Sequence, residues 1–459
     1  MMLTYDLKKG PGMPLYEALY RCIRADILSG ALAAGAKLPS KRALAANLEV
    51  SKITVENAYA QLLAEGYIRT QEKVGYFVES IVPRQAASIP PARETVPEPP
   101  RLDLTAGGPG QFPFSVWSRL QREVMLDYGE KLLLRLPNQG CLPLRRAIAD
   151  HLAGFRGMQV QPENILIGAG TDFLYNLLIQ LLGRDKCYAV EDPGYQKTRR
   201  IYSAAGARCI SARLDSQGVS PASVADAQVL HLSASHHFPT GLVTPMSRRR
   251  ELLDWVGARE DRWIIEDDYD SEFRFDARPM SAMQSMDPSG RVIYMNTFSK
   301  SLAPSIRISY MILPPALMAA FRERLGFYSC TVPSFEQYTL ERFLSRGYFE
   351  KHINRMRKSF KARRNRLIEL LRQCPFADKL TILEQDAGLH FLLRVDTALS
   401  DGALTGLLEN AGIRVRALSS YYHGPVPAED KSSLVVDYSG LGDQDFDALK
   451  QALAQLDRL

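Results

Sequence analysis

Apolar residues near the beginning of the chain recur every three or four positions, which is helical spacing. They predict a first helix over 14–29, with Leu19, Ile23 and Ile27 on its buried face, and Gly30 is expected to end it. The first structural element of the chain is therefore an amphipathic helix.

Two shorter helices are predicted directly after the first one. Ser40 would cap a helix over 41–48 and Ser51 would cap a helix that runs to Glu65, because a serine hydroxyl accepts hydrogen bonds from the free N–H groups of a first helical turn. Two short helices joined by a tight turn are a helix-turn-helix pattern.

Alternating apolar and polar residues predict a small β-hairpin over 67–70 and 76–79, a wing after the third helix. Beyond it, residues 82–101 contain six prolines, which remove backbone donors and favour an extended linker. We therefore predict a winged helix-turn-helix domain over 1–80, a proline-rich linker over 81–101 and a large domain over 102–459.

The pattern behind the linker alternates between helices and short apolar strands. Strands are predicted at 164–167, 187–190, 229–232, 263–265 and 292–294, and amphipathic helices lie between several of them. This alternation predicts an α/β domain with a mainly parallel sheet and helices on both faces.

Composition narrows the class of protein without deciding it. The 459 residues are 46% hydrophobic and 24% charged, which is typical of globular domains. No apolar run approaches the roughly 20 residues of a membrane span, and no signal-peptide pattern begins the chain. These features predict a cytoplasmic protein.

The cysteines and the net charge add little. None of the six cysteines has zinc-ligand spacing, so we expect reduced, mostly buried thiols and no metal site. The net charge of +6, and of +2 over residues 1–80 from 10 basic and 8 acidic residues, permits a polyanion partner and does not require one.

The order of motifs in the first 80 residues carries more information than their charge. Leu38-Pro39-Ser40-Lys41-Arg42, Val50-Ser51-Lys52 with Thr54-Val55, and Glu65-Gly66-Tyr67-Ile68 resemble the GntR family of winged-helix regulators. The resemblance implies that the third helix enters the major groove of DNA. The candidate DNA-binding residues are Lys41, Arg42, Ser51, Lys52, Thr54 and Asn57, with Lys73 of the wing as a weaker candidate.

Polar and glycine residues collect at the ends of the predicted strands of the large domain. Gly168-Ala169-Gly170-Thr171 stands between a strand and a helix, where backbone N–H groups can bind a phosphate. Glu266-Asp267-Asp268-Tyr269 and Thr297-Phe298-Ser299-Lys300 follow two later strands, and Arg307 comes next. Together they offer a lysine, a carboxylate, a phenol and an arginine, the groups that pyridoxal phosphate requires.

These motifs resemble fold-type I aminotransferases, with a large and a small subdomain, and more closely the MocR-type regulators, in which a GntR-like reader is fused to such a domain. The resemblance implies that Lys300 binds the cofactor as an imine and that Asp267 pairs with its ring nitrogen. It further implies phosphate contacts from Gly170, Thr171, Ser299 and Arg307, a phenolic-oxygen contact from Tyr269 and ring stacking by Tyr195.

Three points stay open on the sequence. A carboxylate-binding arginine is not evident, although Arg414 or Arg416 could serve. One of His236 and His237 could lie near the ring, but buried packing is favoured. The basic run 351–366 could contact DNA, but a solvated connecting helix is favoured.

The function that we predict is a homodimeric, pyridoxal-phosphate-dependent transcription regulator. It would bind double-stranded operator DNA at repeated half-sites and sense the cofactor or an amine or amino acid that reacts with it. The alternative is an aminotransferase with an appended DNA-binding domain. A more remote possibility is a DNA-binding scaffold with a degenerate pocket.

Overall fold

Contacts between residues divide the chain into two compact units, Met1–Pro97 and Glu98–Leu459. The structure is a computed structural model, and it describes residues 3–5, 7, 14–72, 74–80, 102–105, 107, 112–275, 280–383 and 388–454. The predicted linker over 81–101 and the wing residue Lys73 lie outside the described residues.

The first unit contains the three helices and the hairpin that the pattern predicts. These elements are α1 (Leu15–Ser29), α2 (Lys41–Asn47), α3 (Lys52–Ala64), β1 (Ile68–Gln71) and β2 (Gly75–Val78), the two strands being antiparallel. Gly30 ends α1 with φ of 81°, a left-handed conformation that favours glycine. The hydroxyl of Ser40 accepts a hydrogen bond from the Ala43 N–H at 3.2 Å, as an N-cap should.

Helix α3 lies at the centre of the first unit because one of its faces is entirely apolar. Val55, Ala58, Tyr59 and Leu62 are fully buried against α1, α2 and the hairpin, and the Tyr59 hydroxyl donates to the Pro39 carbonyl at 3.0 Å. The apolar face anchors the helix, so its opposite face is free to meet a partner.

The second unit alternates strands and helices as predicted, before a run of helices and a second, smaller sheet. Its strands are β3 (Leu102–Asp103), β4 (Ile165–Gly168), β5 (Cys187–Asp192), β6 (Arg208–Asp215), β7 (Gly218–Val219), β8 (Val229–Leu232), β9 (Trp263–Asp267), β10 (Val292–Thr297), β11 (Ser309–Ile312), β12 (Leu380–Leu383), β13 (His390–Val395), β14 (Ile413–Arg414), β15 (Arg416–Ala417) and β16 (Ser433–Asp437). Its helices are α4 (Phe114–Tyr128), α5 (Leu142–Arg156), α6 (Thr171–Leu182), α7 (Gln196–Ala204), α8 (Met246–Gly257), α9 (Met283–Met286), α10 (Pro315–Leu325), α11 (Ser334–Ser345), α12 (Tyr348–Gln373), α13 (Asp401–Asn410) and α14 (Asp445–Ala454).

The large sheet has the order β4-β11-β10-β9-β8-β5-β6-β7. The strands β6, β5, β8, β9 and β10 run parallel to one another, whereas β11 runs antiparallel to both β10 and β4, and β7 runs antiparallel to β6. The prediction of a mainly parallel sheet is therefore confirmed. The carboxyl ends of the parallel strands meet at one edge of the sheet, where ligands bind in open α/β folds.

Two central strands extend further than their apolar runs suggest. Strand β9 continues through Glu266 to Asp267, and β10 continues through Asn296 to Thr297. The backbone ladder, with Met295 paired to Asp267, carries on whatever the polarity of the side chains. The strands thereby bring their polar ends to the edge where ligands bind.

The smaller sheet has the order β12-β13-β16-β15 and is antiparallel throughout. The 26-residue helix α12 leads into it and contains the basic run 351–366. Phe349, Ile353, Met356 and Phe360 form its buried face. The favoured interpretation of that run as a connecting helix agrees with this placement.

Two further properties concern the described residues only. No helix among them is long and apolar enough to cross a membrane. The six cysteines are unpaired, with Cys141 and Cys187 buried and the other four half-buried. The expectation of mostly buried thiols is therefore wrong for four of them.

Candidate functional sites

One exposed face of α3 carries most of the side chains predicted to bind DNA. Ser51, Lys52 and Asn57 are exposed at its beginning, and Thr54 is half-buried. Sequence reasoning missed Ile53, whose side chain is 68% exposed. Ile53 could have been found in the sequence, because it is an apolar residue out of phase with the buried face of the helix.

Two of the predicted DNA-binding side chains already have partners within the first unit. The Ser51 hydroxyl accepts from the Thr54 N–H at 3.1 Å, which caps α3. The Lys41 ammonium donates to the Glu56 carboxylate at 2.7 Å and lies 5.5 Å from the centre of the Tyr76 ring. Lys41 therefore ties α2 to α3, a role that the sequence did not show.

Arg42 and Lys52 differ from Lys41 in being exposed. Within the described ranges, neither of them forms an ion pair. Their positive charges are thus available to phosphate oxygens, the groups that fix a protein on the DNA duplex. The Glu56 carboxylate beside them is compensated by Lys41, so it does not repel the DNA backbone as a free carboxylate would.

A cavity of about 490 Å³ lies at the carboxyl ends of the parallel strands of the second unit. The structure brings together around it every residue that the sequence predicts for cofactor binding. These residues are Gly170, Thr171, Tyr195, Asp267, Tyr269, Ser299, Lys300 and Arg307. They come from five separate segments, which only the tertiary fold makes neighbours.

Asp267 is buried at the end of β9, and only one of its two carboxylate oxygens is bonded. Oδ2 accepts a hydrogen bond from the Tyr175 hydroxyl and lies 3.3 Å from the His231 Nε2. Oδ1 is buried without a hydrogen-bond partner in the described structure. A buried, unpartnered carboxylate oxygen is costly, and a protonated ring nitrogen would satisfy it.

A chain of hydrogen bonds through a hydroxyl and an imidazole group holds Asp267 in place. The Tyr202 hydroxyl lies 2.6 Å from the His231 Nδ1. Burial raises the pKa of Tyr202 and of Tyr175 well above the usual tyrosine range, so both phenols keep their protons and donate. The His231 Nδ1 then accepts from Tyr202 and its Nε2 is left to donate to Asp267, which fixes the position of the carboxylate.

A phosphate cradle forms where α6 begins beside Arg307. Gly170 has φ of 91°, and a Cβ atom built on it would lie 2.4 Å from the Arg307 Nη2, so only glycine fits there. Arg307 donates to the Ala169 carbonyl and to the Asp172 carboxylate, both at 3.3 Å. Thr171 opens α6, whose free N–H groups favour an anion.

The remaining predicted groups also line the cavity. Lys300 is exposed in the turn after β10 and, among the described residues, makes no hydrogen bond or ion pair. The Tyr269 hydroxyl lies 3.2 Å from the His236 Nδ1, which is 2.7 Å from Asp270. Since Asp270 accepts the imidazole proton, the phenol proton of Tyr269 is free to point into the cavity.

Several residues that line the cavity were not among the site residues predicted from the sequence. Tyr175, His231, Glu191, His390 and Asp437 all line the cavity. Burial raises the pKa of Glu191 to about 8 and holds the pKa of His390 well below the usual histidine range. Both side chains are therefore neutral at neutral pH, and they leave the charge of the pocket to other groups.

The open question about His236 and His237 is answered by burial. Both are buried and neither lines the cavity. Burial lowers the pKa of His237 to about 3, and its Nδ1 lies 2.7 Å from the Thr240 hydroxyl. They are packed histidines, as favoured.

The structure also separates the two candidate arginines for a carboxylate. Arg416, on β15, is exposed and lines the cavity. Arg414, on β14, pairs instead with Glu409 at 3.5 Å. Arg416 is therefore the arginine that can meet a ligand in this pocket.

The pocket residues fit pyridoxal phosphate group by group. The unpartnered Oδ1 of Asp267 suits a protonated ring nitrogen, and the cradle of Gly170, Thr171 and Arg307 suits the phosphate. Lys300 supplies the amine and Tyr269 a phenol proton. No group of three or more metal-ligating side chains occurs in the part of the chain that the structure describes.

Comparison with known families matches both units. The model of the bacterial regulatory proteins of the gntR family matches residues 15–78. The model of aminotransferase class I and II matches residues 101–453. The probable rhizopine catabolism regulatory protein MocR of Rhizobium meliloti is 33% identical, over 96% of this chain and 92% of its own.

The chain belongs to the MocR-type subfamily of gntR family regulators. An HTH-type transcriptional regulator of Bacillus subtilis, YdeL, is 35% identical over 93% of this chain and 94% of its own. The pyridoxine biosynthesis regulator PdxR of Corynebacterium glutamicum is 32% identical over 95% and 93%. The predicted MocR-type resemblance is therefore confirmed.

Solved structures support the fold of the second unit. The kynurenine aminotransferase of Pyrococcus horikoshii aligns with a TM-score of 0.66 at 24% identity, covering 78% of this chain and 92% of its own. An aspartate aminotransferase variant of Thermus thermophilus aligns with a TM-score of 0.65 at 17% identity, covering 78% and 96%. At these identities the likeness shows the fold of this MocR-type chain, which is that of a fold-type I aminotransferase.

Proposed function

We propose that this MocR-type regulator binds pyridoxal phosphate in the cavity around Lys300 and uses the occupancy of that cavity to control its binding to operator DNA. The observation that carries the proposal is the buried, unpartnered Oδ1 of Asp267, in one cavity with Lys300 and the Arg307 cradle. The proposed domains are the reader over 1–80, the linker over 81–101 and the sensor over 102–459.

The residues of the pocket would divide the work of holding the cofactor. When bound, pyridoxal phosphate supplies an aldehyde carbon that captures primary amines and a ring that withdraws electrons. Asp267, held by Tyr175 and His231, keeps a proton on the ring nitrogen. Arg307 and the first turn of α6 bind the phosphate, Ser299 adds a hydroxyl, and Tyr195 covers the ring.

The reader would bind DNA through the exposed face of α3. Arg42 and Lys52 neutralise phosphates, and Asn57 and Ile53 face base edges in the major groove, where an apolar side chain suits a thymine methyl group. Ser51 and Thr54 set the beginning of the helix. Because operator DNA lies in the cytoplasm of bacteria, we place the protein there.

Exposed apolar side chains on and after α4 support the homodimer. Phe114 and Leu126 on α4 are 75% and 77% exposed, and Leu133 and Leu134 just after it are 76% and 67% exposed. Large apolar side chains exposed in one short segment favour an interface, and we propose that a second copy of the chain covers them. A two-fold dimer presents paired readers and requires two half-sites. Light scattering of the Leu126→Asp/Leu133→Asp variant is expected to show monomers.

A small amine or amino acid is the effector that the pocket suits. Its amine would react at the Lys300 position, and Arg416 would bind a carboxylate. Any effect on DNA binding must come from a difference in ligand affinity between the two states of the regulator.

The test is a titration of the purified full chain against a DNA fragment from upstream of its own gene, followed by fluorescence anisotropy, with and without pyridoxal phosphate. The proposal expects specific binding whose affinity changes when the cofactor is added. Absence of specific binding in both conditions would sink it.

An aminotransferase activity is a second candidate, and the presence of Arg416 in the same cavity as Lys300 favours it. Incubation of the loaded protein with amino acids and a keto-acid acceptor separates the two functions. Sustained turnover supports the enzyme, whereas a change limited to one equivalent of cofactor supports the sensor.

A further inference from the structure

The cavity around Lys300 has further lining residues besides those predicted to bind the cofactor. Thr105, Phe238, Leu389, Arg416 and Asp437 line it. Three of these five are neutral. The charged lining residues Asp172 and Lys197 pair with each other, and Asp270 pairs with His236. Arg416 and Asp437 are therefore the charges that we consider for an effector.

Asp437 and Arg416 lie on the same face of the smaller sheet. Strands β15 and β16 are antiparallel, and Arg416 is directly opposite Val435. Asp437 is two residues beyond Val435, so its side chain points to the same face and is diagonal to Arg416. No ion pair within 4.0 Å joins them in the described structure, so the two charges stay separate.

Asp437 is only 8% exposed, yet just one of its carboxylate oxygens is bonded. Oδ1 accepts from the Ser439 N–H at 2.9 Å and from the Ser439 hydroxyl at 2.6 Å. Among the described residues, no hydrogen bond to Oδ2 and no basic side chain within ion-pair distance are found. The turn at Ser439 needs only Oδ1, which an asparagine would also supply.

A buried carboxylate without a cationic partner is unfavourable. Here the carboxylate faces a ligand cavity, so a cationic group of the ligand is the partner that the geometry calls for. The opposite charges of Arg416 and Asp437, separate and side by side, complement a ligand that carries both a carboxylate and a cation.

We infer that the effector has two amino groups and a carboxylate. The carbon–nitrogen bond between the cofactor and Lys300 would be exchanged for one to an amine of the effector, which releases Lys300 as a free amine. The carboxylate binds Arg416, and the second, protonated amine binds Asp437. The class is that of the diamino monocarboxylic acids. This inference rests on the proposed function, because it assumes that the pocket holds pyridoxal phosphate.

The test is isothermal titration calorimetry of the full chain loaded with pyridoxal phosphate. The probes are L-lysine, L-ornithine and L-norleucine, the last of which has the length of lysine without the second amine. We expect lysine or ornithine to bind at least about ten-fold more tightly than norleucine, as a desolvated charge pair should.

The variant Asp437→Asn keeps the carbonyl that Ser439 needs and removes the charge. It is expected to bind all three amino acids with the affinity of norleucine. Lys450→Ala, on the exposed side of α14, is the control and should keep the preference of the wild type. The comparison of the three ligands on the wild type stands alone if Asp437→Asn does not fold.

Equal binding of lysine, ornithine and norleucine by the wild type, with the cofactor absorbance intact, would overturn the inference and leave the proposed function standing. Retention of the preference by a folded Asp437→Asn would overturn it as well. Absence of the cofactor absorbance in the wild type would overturn the proposed function and this inference with it.

Discussion

The proposed DNA-reading face, which is the exposed side of α2 and α3, and the proposed cofactor pocket are built in opposite ways. The reading face takes its side chains from residues 42–57, one continuous stretch, and leaves them exposed on α2 and α3. The pocket takes its side chains from segments between Thr105 and Asp437, and it buries Asp267, Tyr175 and His231. A local motif therefore suffices for the first site, whereas the second requires the whole sheet.

The loss of binding affinity expected on substitution also differs between the two sites, because one is exposed and the other is buried. An exposed cation such as Lys52 is solvated with or without DNA, so its substitution should weaken binding by a modest amount. A buried group such as Asp267 has partners on one side only, and the ligand supplies the other. The comparison predicts large, localised effects in the pocket and small, additive effects on the reading face.

The largest effect is expected for Lys300→Ala. Removal of the amine should abolish covalent binding of pyridoxal phosphate, and the absorbance band of the bound cofactor should disappear. Lys450→Ala is the matched control. A band that persists in Lys300→Ala would show that the lysine is not the attachment point, and the comparison of the two sites would lose its basis.

The next effect is expected for Asn57→Ala on the reading face. Loss of a contact to a base edge should cost about 1–3 kcal/mol for the specific operator and little for unrelated DNA. Arg42→Ala should weaken binding to both kinds of DNA and reduce the salt dependence. The control is Arg21→Ala, which changes an exposed side chain of α1. Equal losses for both DNAs in Asn57→Ala would contradict a base contact.

A smaller effect is expected from pH, through Glu191. The pKa of this carboxyl rises from 4.5 to about 8 in the folded chain, so the folded state binds more protons than the unfolded state between those values. Stability is then greatest below the unfolded pKa and is lost as pH rises towards 8.

The variant Glu191→Gln removes this proton linkage. Relative to the wild type, it should gain stability as pH rises from about 6 to 9, by about 1 kcal/mol or more, since each pKa unit corresponds to about 1.4 kcal/mol. Chemical denaturation at several pH values measures the difference. A difference that does not change with pH would contradict the burial argument.

The smallest effect is expected for Lys41→Met. Its ammonium is already paired with Glu56, so the affinity for DNA should fall less than it does in Arg42→Ala. The free energy of unfolding of the first unit should fall by about 0.5 kcal/mol. Anisotropy titrations and thermal unfolding measure the two quantities. A loss of DNA affinity larger than that of Arg42→Ala would indicate that Lys41 contacts DNA directly.

Sequence patterns alone located the five elements of the first unit and five strands of the large sheet in the second. Helical spacing and capping serines gave α1, α2 and α3 within one or two residues at each end, because the signals are local hydrogen bonds and glycine conformations. Strands β9 and β10 were predicted too short, since their last residues are polar and only the ladder of the neighbouring strands extends them.

The residues of the pocket also fall into two groups, those that the sequence predicted and those that it did not. Lys300, Asp267 and Arg307 were predicted because each stands in a motif after a strand. His231 and Tyr175 were not, because a histidine in an apolar strand or a tyrosine in an apolar helix has many structural uses. Arg416 could not be preferred over Arg414 until the register of β15 and β16 was known.

The sequence by itself determined that this chain joins a winged reader to an aminotransferase fold, because motif order and hydrophobic period are properties of short segments. Tertiary structure alone decided which polar groups meet. It paired Lys41 with Glu56, left one oxygen of Asp267 unbonded, and brought Asp437 and Arg416 into the cavity of Lys300. The physical reason is that burial and register act between residues far apart in sequence.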